Sequence, residues 1–145
     1  MHKTTDVNTI LLIDDSEDDI DLTLMAFEEA ECTNPIEVRH NGIEALEYLT
    51  SVGEDLPGLI LLDWKMPRMN GRDFLKTIKA HPEWRQIPTC VLTTSDAPED
   101  ITEAYLNHAN AYIKKPVSFN ALVQLMQQAG AFWMQWVLTP AHAHK

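Results

Sequence analysis

Four short, mainly apolar runs constrain the fold of this chain more than any other feature. They cover residues 9–13, 59–62, 88–92 and 111–114. Apolar runs of this length, separated by longer stretches with helical periodicity, are typical of strands in a parallel sheet that helices cover on both faces. The sequence therefore predicts an α/β domain in which strands and helices alternate.

Polar residues stand directly after these runs: Asp14 and Asp15, Asp63, Thr93 and Lys115. The carboxyl ends of parallel strands meet at one edge of the sheet, where ligands bind, so we expect these side chains to lie together. A single Asp after a strand commonly caps the next helix, but three converging carboxylates would repel one another. Oxygen ligands without His or Cys favour a hard cation such as Mg²⁺. The sequence thus predicts a metal site at this edge.

The composition is that of one acidic domain. The chain has 145 residues, with 22 acidic residues, 11 basic residues and a net charge of −11. We expect such a surface to repel nucleic acid and anionic membranes, and no apolar run approaches the roughly 20 residues of a membrane span. Cys32 and Cys90 lack metal-ligand spacing, which indicates reduced thiols in a cytoplasmic protein.

Six of the eight residues in the segment 14–21 are acidic. The acidic residues after Asp15 are interpreted as a favourable first turn of a helix that Ser16 caps. This interpretation gives them no role beyond stabilising the helix.

Four motifs carry a resemblance to a known family. In chain order they are 13–16 (IDDS), 61–71 (LLDWKMPRMNG), 93–95 (TTS) and 112–116 (YIKKP). Together they resemble the receiver domain of two-component response regulators, from about residue 8 to residue 135. The resemblance implies a flavodoxin-like, doubly wound (βα)5 sheet with strand order 2-1-3-4-5. It also implies that a histidine kinase donates a phosphoryl group to the chain.

The resemblance assigns a role to each acidic residue of the site. Asp63 would be the phospho-acceptor, a carboxylate nucleophile. Asp15 and Asp63 would bind Mg²⁺ directly, together with the backbone carbonyl of Lys65, while Asp14 would act through a coordinated water. The cation would neutralise the phosphoryl oxygens, so that an anionic nucleophile can approach them.

Further roles are implied for the other motif residues. Lys115 would pair with Asp63 before phosphorylation and with a phosphoryl oxygen afterwards, through a side chain aimed by a cis Lys115–Pro116 bond. Thr93 would hydrogen-bond a second phosphoryl oxygen, and Tyr112 would turn inward as Thr93 moves. The residues that flank the path of hydrolytic water, and so tune dephosphorylation, are Lys65, Thr94 and Ser95.

The C-terminal part extends the receiver pattern. The core would cover about residues 8–130 of a single domain, 1–145, with a helical extension at about 131–140 and no output domain. Phe132, Trp133 and Trp136 would form an exposed apolar patch beyond the domain edge unless a partner covers them. The sequence therefore predicts a homodimer, and an output made by protein contact or onward phosphotransfer.

Shorter motifs narrow the resemblance. Residues 92–95, the pattern His108-x-Asn110-x-Tyr112 and the pair 132–133 are similar to stand-alone regulators of cyanobacterial and bacterial phytochrome kinases. This similarity implies a light-sensing histidine kinase as the donor. It also implies dimers formed through helix 4, strand 5 and helix 5, or through the C-terminal arm.

Two other functions use a similar sheet. A phosphohydrolase of the haloacid-dehalogenase type also has a strand-end Asp nucleophile and Mg²⁺, but it needs a second Asp two positions later, where this chain has Lys65. A non-catalytic nucleotide-binding module would need a Gly-rich turn after strand 1. Here that turn reads DDSE, at residues 14–17.

Overall fold

The computed structural model describes residues 9–136 of the chain. Within this range five strands form one parallel sheet: β1 (Ile10–Ile13), β2 (Ile36–Arg39), β3 (Leu59–Leu62), β4 (Thr89–Thr93) and β5 (Ala111–Lys114). Their order across the sheet is β2-β1-β3-β4-β5. The flavodoxin-like topology predicted from the sequence is confirmed.

A helix follows each strand. The five described α-helices are α1 (Glu17–Glu29), α2 (Gly42–Val52), α3 (Gly71–Ala80), α4 (Pro98–Leu106) and α5 (Phe119–Ala131). Four of them begin after an N-cap residue whose side-chain oxygen accepts a backbone N–H of the first turn, and Ser and Asn are preferred at that position. These N-cap residues are Ser16, Asn41, Asn70 and Ser118. The fifth, α4, starts with Pro98. Proline suits the first position of a helix, because the N–H that it lacks would have no partner within the helix there.

Two apolar layers hold the sheet, one on each face. Successive residues of a strand point to opposite faces, so Leu11 and Ile13 lie in one layer, whereas Ile10 and Leu12 lie in the other. The first layer packs against α2, α3 and α4, and the second against α1 and α5. Because both faces are covered, the central strands are buried at every position, which explains the nearly continuous apolar runs in the sequence.

The C-terminal helix changes form near its end. After Ala131 the chain continues as a π-helical turn, Phe132–Trp136. The Trp133 ring packs against the layer under α1 and α5, so the prediction that this aromatic projects beyond the domain is wrong. Phe132 remains 55% exposed and meets Trp133 edge to face, with 5.3 Å between the ring centroids. The side chain of Trp136 and the predicted extension beyond it lie outside the described part of the chain.

Candidate functional site

Three carboxylates meet at the carboxyl edge of the sheet. Asp14 and Asp15 follow β1, and Asp63 follows β3. Backbone hydrogen bonds carry the register of the sheet past the strand ends: the Asp63 N–H donates to the Ile13 carbonyl at 2.9 Å, and the Asp14 N–H donates to the Arg39 carbonyl at 3.0 Å. As a result, one oxygen from each of the three carboxylates lies within 4.8 Å of the others.

These carboxylates differ in depth. Asp14 is buried, Asp63 is half-buried and Asp15 is exposed. The pKa of Asp63 is raised to about 6, mainly by burial and in smaller part by the Asp14 and Asp15 charges, while the nearby Thr93 hydroxyl and the Lys115 charge act to lower it. The three carboxylates repel one another, and a divalent cation bound to their oxygens would offset this repulsion. Such a cation would favour the ionised form of all three.

The backbone after Asp63 is held close to the start of α3. The Gly71 N–H donates to the Trp64 carbonyl at 3.1 Å. A Cβ atom at Gly71 would lie 2.6 Å from the Asp63 carbonyl oxygen and 2.8 Å from the Trp64 Cα. Only glycine allows this approach, which fixes the loop that contains Lys65, the predicted carbonyl ligand.

Thr93 ends β4 with its side chain buried in the site. Its Oγ1 has no hydrogen-bond partner among the described residues, although it lies close enough to lower the pKa of Asp63. Buried hydroxyls are nearly always hydrogen-bonded, so one without a partner calls for an explanation. A ligand oxygen placed beside Asp63 would supply the partner.

Lys115 reaches the site from the end of β5. Its Nζ donates to Asp14 Oδ2 at 2.8 Å and to Asp19 Oδ2 at 3.2 Å. Burial lowers the pKa of this ammonium, but the hydrogen bond and charge of Asp14, with the charges of Asp63 and Asp19, outweigh burial and raise it. The predicted pairing of Lys115 with Asp63 is wrong for this structure, because the buried Asp14 carboxylate and the Asp19 carboxylate of α1 offer nearer acceptors.

The peptide bond after Lys115 also differs from the prediction. The described residues contain no cis peptide bond, so the Lys115–Pro116 bond is trans. The trans form of an X–Pro bond is the more stable by about 0.5–1 kcal/mol. The Lys115 side chain reaches Asp14 from this form, while its N–H donates to the Thr93 carbonyl at 2.7 Å.

A second polar group lies beside the carboxylates. Asp100 of α4 accepts a hydrogen bond from Ser95 Oγ at 2.5 Å and forms an ion pair with Lys65 Nζ at 3.3 Å. The hydrogen bond from Ser95 lowers the pKa of Asp100; burial opposes this effect, and Lys65 and Trp64 reinforce it. Two of the three predicted hydrolysis-tuning residues therefore share one partner, while the third, Thr94, is exposed.

Tyr112 lies on β5 and faces the loop between β4 and α4. Its hydroxyl donates to the Ser95 carbonyl at 2.9 Å, and its N–H donates to the Tyr105 hydroxyl at 3.0 Å. The ring is half-buried against the layer under α2, α3 and α4. Tyr112 thus connects the loop after Thr93 with α4 and β5.

Sequence reasoning missed two residues of this arrangement, Asp19 and Asp100. The sequence indicates Asp19 only as part of an acidic first turn. It lies in the first turn of α1, where acidic residues are too common for their presence to indicate a contact with Lys115. Asp100 stands in the first turn of α4 and is hidden by the same ambiguity.

Comparisons with known proteins agree with this geometry. The family model described as the response regulator receiver domain matches residues 10–127. The chain is 37% identical over 137 residues to the probable methanogenesis regulatory protein FilR2 of Methanothrix harundinacea, covering 92% of this chain and 88% of that protein. It is 33% identical over 136 residues to the response regulator Rcp1 of Synechocystis sp., covering 91% of this chain and 92% of Rcp1.

Solved structures show the same similarity. The phosphorylated cyanobacterial phytochrome response regulator RcpA superposes with a TM-score of 0.81 at 35% identity, over 92% of this chain and 98% of that one. The Mn²⁺-bound form of Rcp1 superposes with a TM-score of 0.80 at 32% identity, over 92% and 99% of the two chains. Neither alternative function considered from the sequence, the phosphohydrolase or the nucleotide-binding module, accounts for these matches. No helix within residues 9–136 is long and apolar enough to cross a bilayer.

Proposed function

The chain belongs to the response regulator receiver family, and from this premise we propose that Asp63 is its phospho-acceptor. The protein is a response regulator homologous to Rcp1 and RcpA. One observation carries the proposal for Asp63: its half-buried carboxylate stands among two further carboxylates, a buried hydroxyl without a partner and an ammonium group. These are the groups needed to receive and hold a phosphoryl group.

The proposed reaction is a direct transfer from a phosphohistidine. A carboxylate oxygen of Asp63 attacks phosphorus, an O–P bond forms, and the P–N bond breaks so that the imidazole leaves with its electron pair. With a pKa of about 6, Asp63 is mostly ionised at neutral pH and able to attack. Because the phosphoryl group ends on Asp63 of the chain itself, the chain acts as a signalling phospho-acceptor that catalyses its own phosphorylation.

The cation in this proposal is Mg²⁺, held by Asp15, Asp63 and the Lys65 carbonyl, and by Asp14 through a water. When bound, it would neutralise charge on the phosphoryl oxygens and the carboxylates. Support comes from the cluster of three carboxylates and from the Mn²⁺-bound structure of Rcp1.

The remaining residues hold the product and transmit its presence. Thr93 Oγ1 donates to one phosphoryl oxygen and thereby gains the partner that it lacks, while Lys115 donates to another. Tyr112 follows the movement of Thr93 because its hydroxyl is tied to the loop that begins there. Lys65, Thr94 and Ser95 set how fast water removes the phosphoryl group, with Lys65 and Ser95 restrained by Asp100.

We propose a cytoplasmic histidine kinase as donor, of the phytochrome type, because RcpA is named as a phytochrome response regulator. The name of FilR2 refers to methanogenesis, so the kinase panel used as a test should include sensors other than photoreceptors. Preferential transfer from a phytochrome kinase supports the pairing. Faster transfer from a kinase without a chromophore contradicts the pairing and leaves the receiver chemistry intact.

The proposed homodimer uses the surface of α4, β5 and α5. Large apolar side chains are exposed on and beside it: Val117 is fully exposed and Leu106 is 73% exposed. The others are Tyr105, Phe119 and Phe132. Several exposed apolar side chains on one side of a domain are typical of a protein interface. Trp133 contributes by supporting Phe132, and the output of the chain would be a protein contact rather than nucleic-acid or membrane binding.

Sedimentation at micromolar concentration tests the dimer. Leu106→Asp should produce monomers, because it places a charge in the apolar surface. Ile43→Asp is the matched control, since Ile43 is an exposed apolar residue on α2, at the opposite edge of the sheet. A monomeric wild-type protein would contradict the proposed dimer.

Phosphoryl transfer tests the central proposal. Asp63→Asn should abolish labelling by acetyl phosphate in the presence of Mg²⁺, because the amide is not a nucleophile. Asp55→Asn, at an exposed position outside the site, should be labelled like the wild-type protein. Persistent labelling of the Asp63 variant would refute the assignment.

A further inference from the structure

Lys115 is held between two carboxylates on the α1 side of the site. Its Nζ lies 2.8 Å from Asp14 Oδ2 and 3.2 Å from Asp19 Oδ2, and its side chain is only 10% exposed. The Asp14 side chain is almost fully buried, whereas that of Asp19 is 38% exposed. The ion pairs of Lys115 among the described residues are with these two acids, and Asp63 takes part only through its nearby charge.

The cap of α1 explains why Asp19 is available. Ser16 is the N-cap, and its Oγ accepts the Asp19 N–H at 3.2 Å. In a capping box the acidic side chain three residues after the cap would accept the N–H of the cap residue. Here Asp14 Oδ1 accepts the Ser16 N–H at 3.0 Å instead. The Asp19 carboxylate is therefore released from the cap and turns to Lys115.

This arrangement has a consequence for phosphoryl binding. An ammonium group has three N–H donors, and two of those on Lys115 point to carboxylates. A phosphoryl oxygen on Asp63 must draw the same ammonium toward itself, in competition with Asp19. Asp14 cannot supply the same adjustable competition, because it is buried and belongs to the carboxylate cluster.

We propose that Asp19 is a positioning residue, which holds Lys115 toward α1 and thereby weakens binding of the phosphoryl group at the site. The inference rests on the proposed function of Asp63 and adds a residue that controls Lys115. Because Lys115 must break its contact with Asp19 to reach the phosphoryl oxygen, the free energy of that contact makes the free energy of phosphoryl binding less favourable. Loss of the Asp19 charge should then strengthen binding.

The first experiment compares two neighbouring carboxylates. Beryllofluoride, which mimics a phosphoryl group on a carboxylate, is titrated into the full chain with Mg²⁺, and binding is followed by tryptophan fluorescence. Asp19→Asn should bind roughly twofold to fivefold more tightly than Asp18→Asn, the range that follows from a partly exposed ion pair. Asp18 is exposed on the same helical turn, so its variant carries the same change in net charge without releasing Lys115.

The second experiment needs no metal. Urea unfolding of Asp19→Asn, Lys115→Met and the double variant forms a double-mutant cycle, and the same cycle is made with Asp18→Asn. We expect the unfolding midpoints to be non-additive for Asp19 with Lys115 and additive for Asp18 with Lys115. A purely structural role would lower the stability of Asp19→Asn without strengthening beryllofluoride binding, whereas the proposed role separates the two measurements.

The outcomes decide between the claims. Equal or weaker beryllofluoride binding by Asp19→Asn than by Asp18→Asn overturns the inference, as does an additive cycle for Asp19 with Lys115. If the wild-type chain is labelled on Asp63 in those cases, the proposed function stands and only the role of Asp19 fails. If Asp63→Asn is still labelled by acetyl phosphate, the proposed function itself fails.

Discussion

The central strands and the surface of α4, β5 and α5 differ in how tightly they are packed. Every residue of β1, β3 and β4 is buried, while the residues of β5 are half-buried or exposed. The central strands carry Asp14, Asp63 and Thr93 at their ends, where packing fixes the positions of the reacting groups. The α4–β5–α5 surface exposes apolar side chains that a partner can cover. The reacting groups thus lie at the ends of the buried central strands, whereas the surface available for a partner lies at one edge of the same sheet.

The largest test of this contrast is a matched pair of truncations. Leu62→Ala, in the fully buried β3, should lower the free energy of unfolding by about 2–5 kcal/mol, because it leaves a cavity in a packed core. Leu106→Ala, at an exposed position of α4, should change it by less than about 0.5 kcal/mol. Urea unfolding at a concentration that keeps the protein monomeric measures both. Similar costs for the two variants would break the contrast.

The same contrast between buried and exposed positions applies to adjacent carboxylates. Asp14→Asn should destabilise the metal-free protein by about 1–3 kcal/mol, because it leaves the Lys115 ammonium with only a partly exposed acceptor. Asp15→Asn should be neutral or stabilising, since Asp15 is exposed and its charge repels the Asp63 carboxylate. Thermal unfolding in a chelating buffer compares them. A larger loss for Asp15→Asn would show that repulsion does not dominate at that position.

The raised pKa of Asp63 predicts a smaller, pH-dependent effect. The folded pKa of about 6 lies above the unfolded value of 3.8, so the folded state binds this proton more tightly. The resulting stability is fully present below about pH 3.8 and is lost as the pH rises through about 6. After a discount for partial exposure, the loss amounts to about 1–2 kcal/mol.

Asp63→Asn isolates this contribution from that of the other carboxylates. Relative to the wild-type protein without metal, the variant should gain about 1–2 kcal/mol of stability between pH 4 and pH 7. Saturating Mg²⁺ should remove most of the difference, because the cation favours the ionised carboxylate in the wild-type protein. A constant difference across this pH range would contradict the raised pKa.

The smallest effect concerns the residue that joins the two regions. Tyr112→Phe removes the hydroxyl that donates to the Ser95 carbonyl, and the expected loss of stability is about 0.5–1.5 kcal/mol. If Tyr112 transmits the state of the site, the variant should also weaken the effect of beryllofluoride on the dimer equilibrium. Tyr105→Phe is the comparison variant on the same α4–β5–α5 surface, because it removes the hydroxyl that accepts the Tyr112 N–H and leaves the bond to Ser95 in place. If beryllofluoride changes the dimer equilibrium of both variants as it does that of the wild-type protein, Tyr112 does not couple the site to the dimer surface.

Much of the fold was accessible from the sequence because its signals are local. The continuous apolar runs reflect strands covered on both faces, and Ser16 indicates a helix start that the structure contains. The C-terminal turn was less accessible. Whether Trp133 packs on its own domain or projects from it depends on the change to π-helical geometry after Ala131. No residue pattern indicates that change.

The sequence by itself determined which chemical groups stand at the strand ends, because a parallel sheet brings those ends to one edge. It thereby determined the carboxylate cluster and the presence of Thr93 and Lys115 beside it. Only the tertiary structure decided which groups pair. Lys115 contacts Asp14 and Asp19 rather than Asp63, and Asp100 contacts Lys65 and Ser95. Such pairings depend on side-chain positions and on burial, which are set by how the helices pack on the sheet rather than by local sequence.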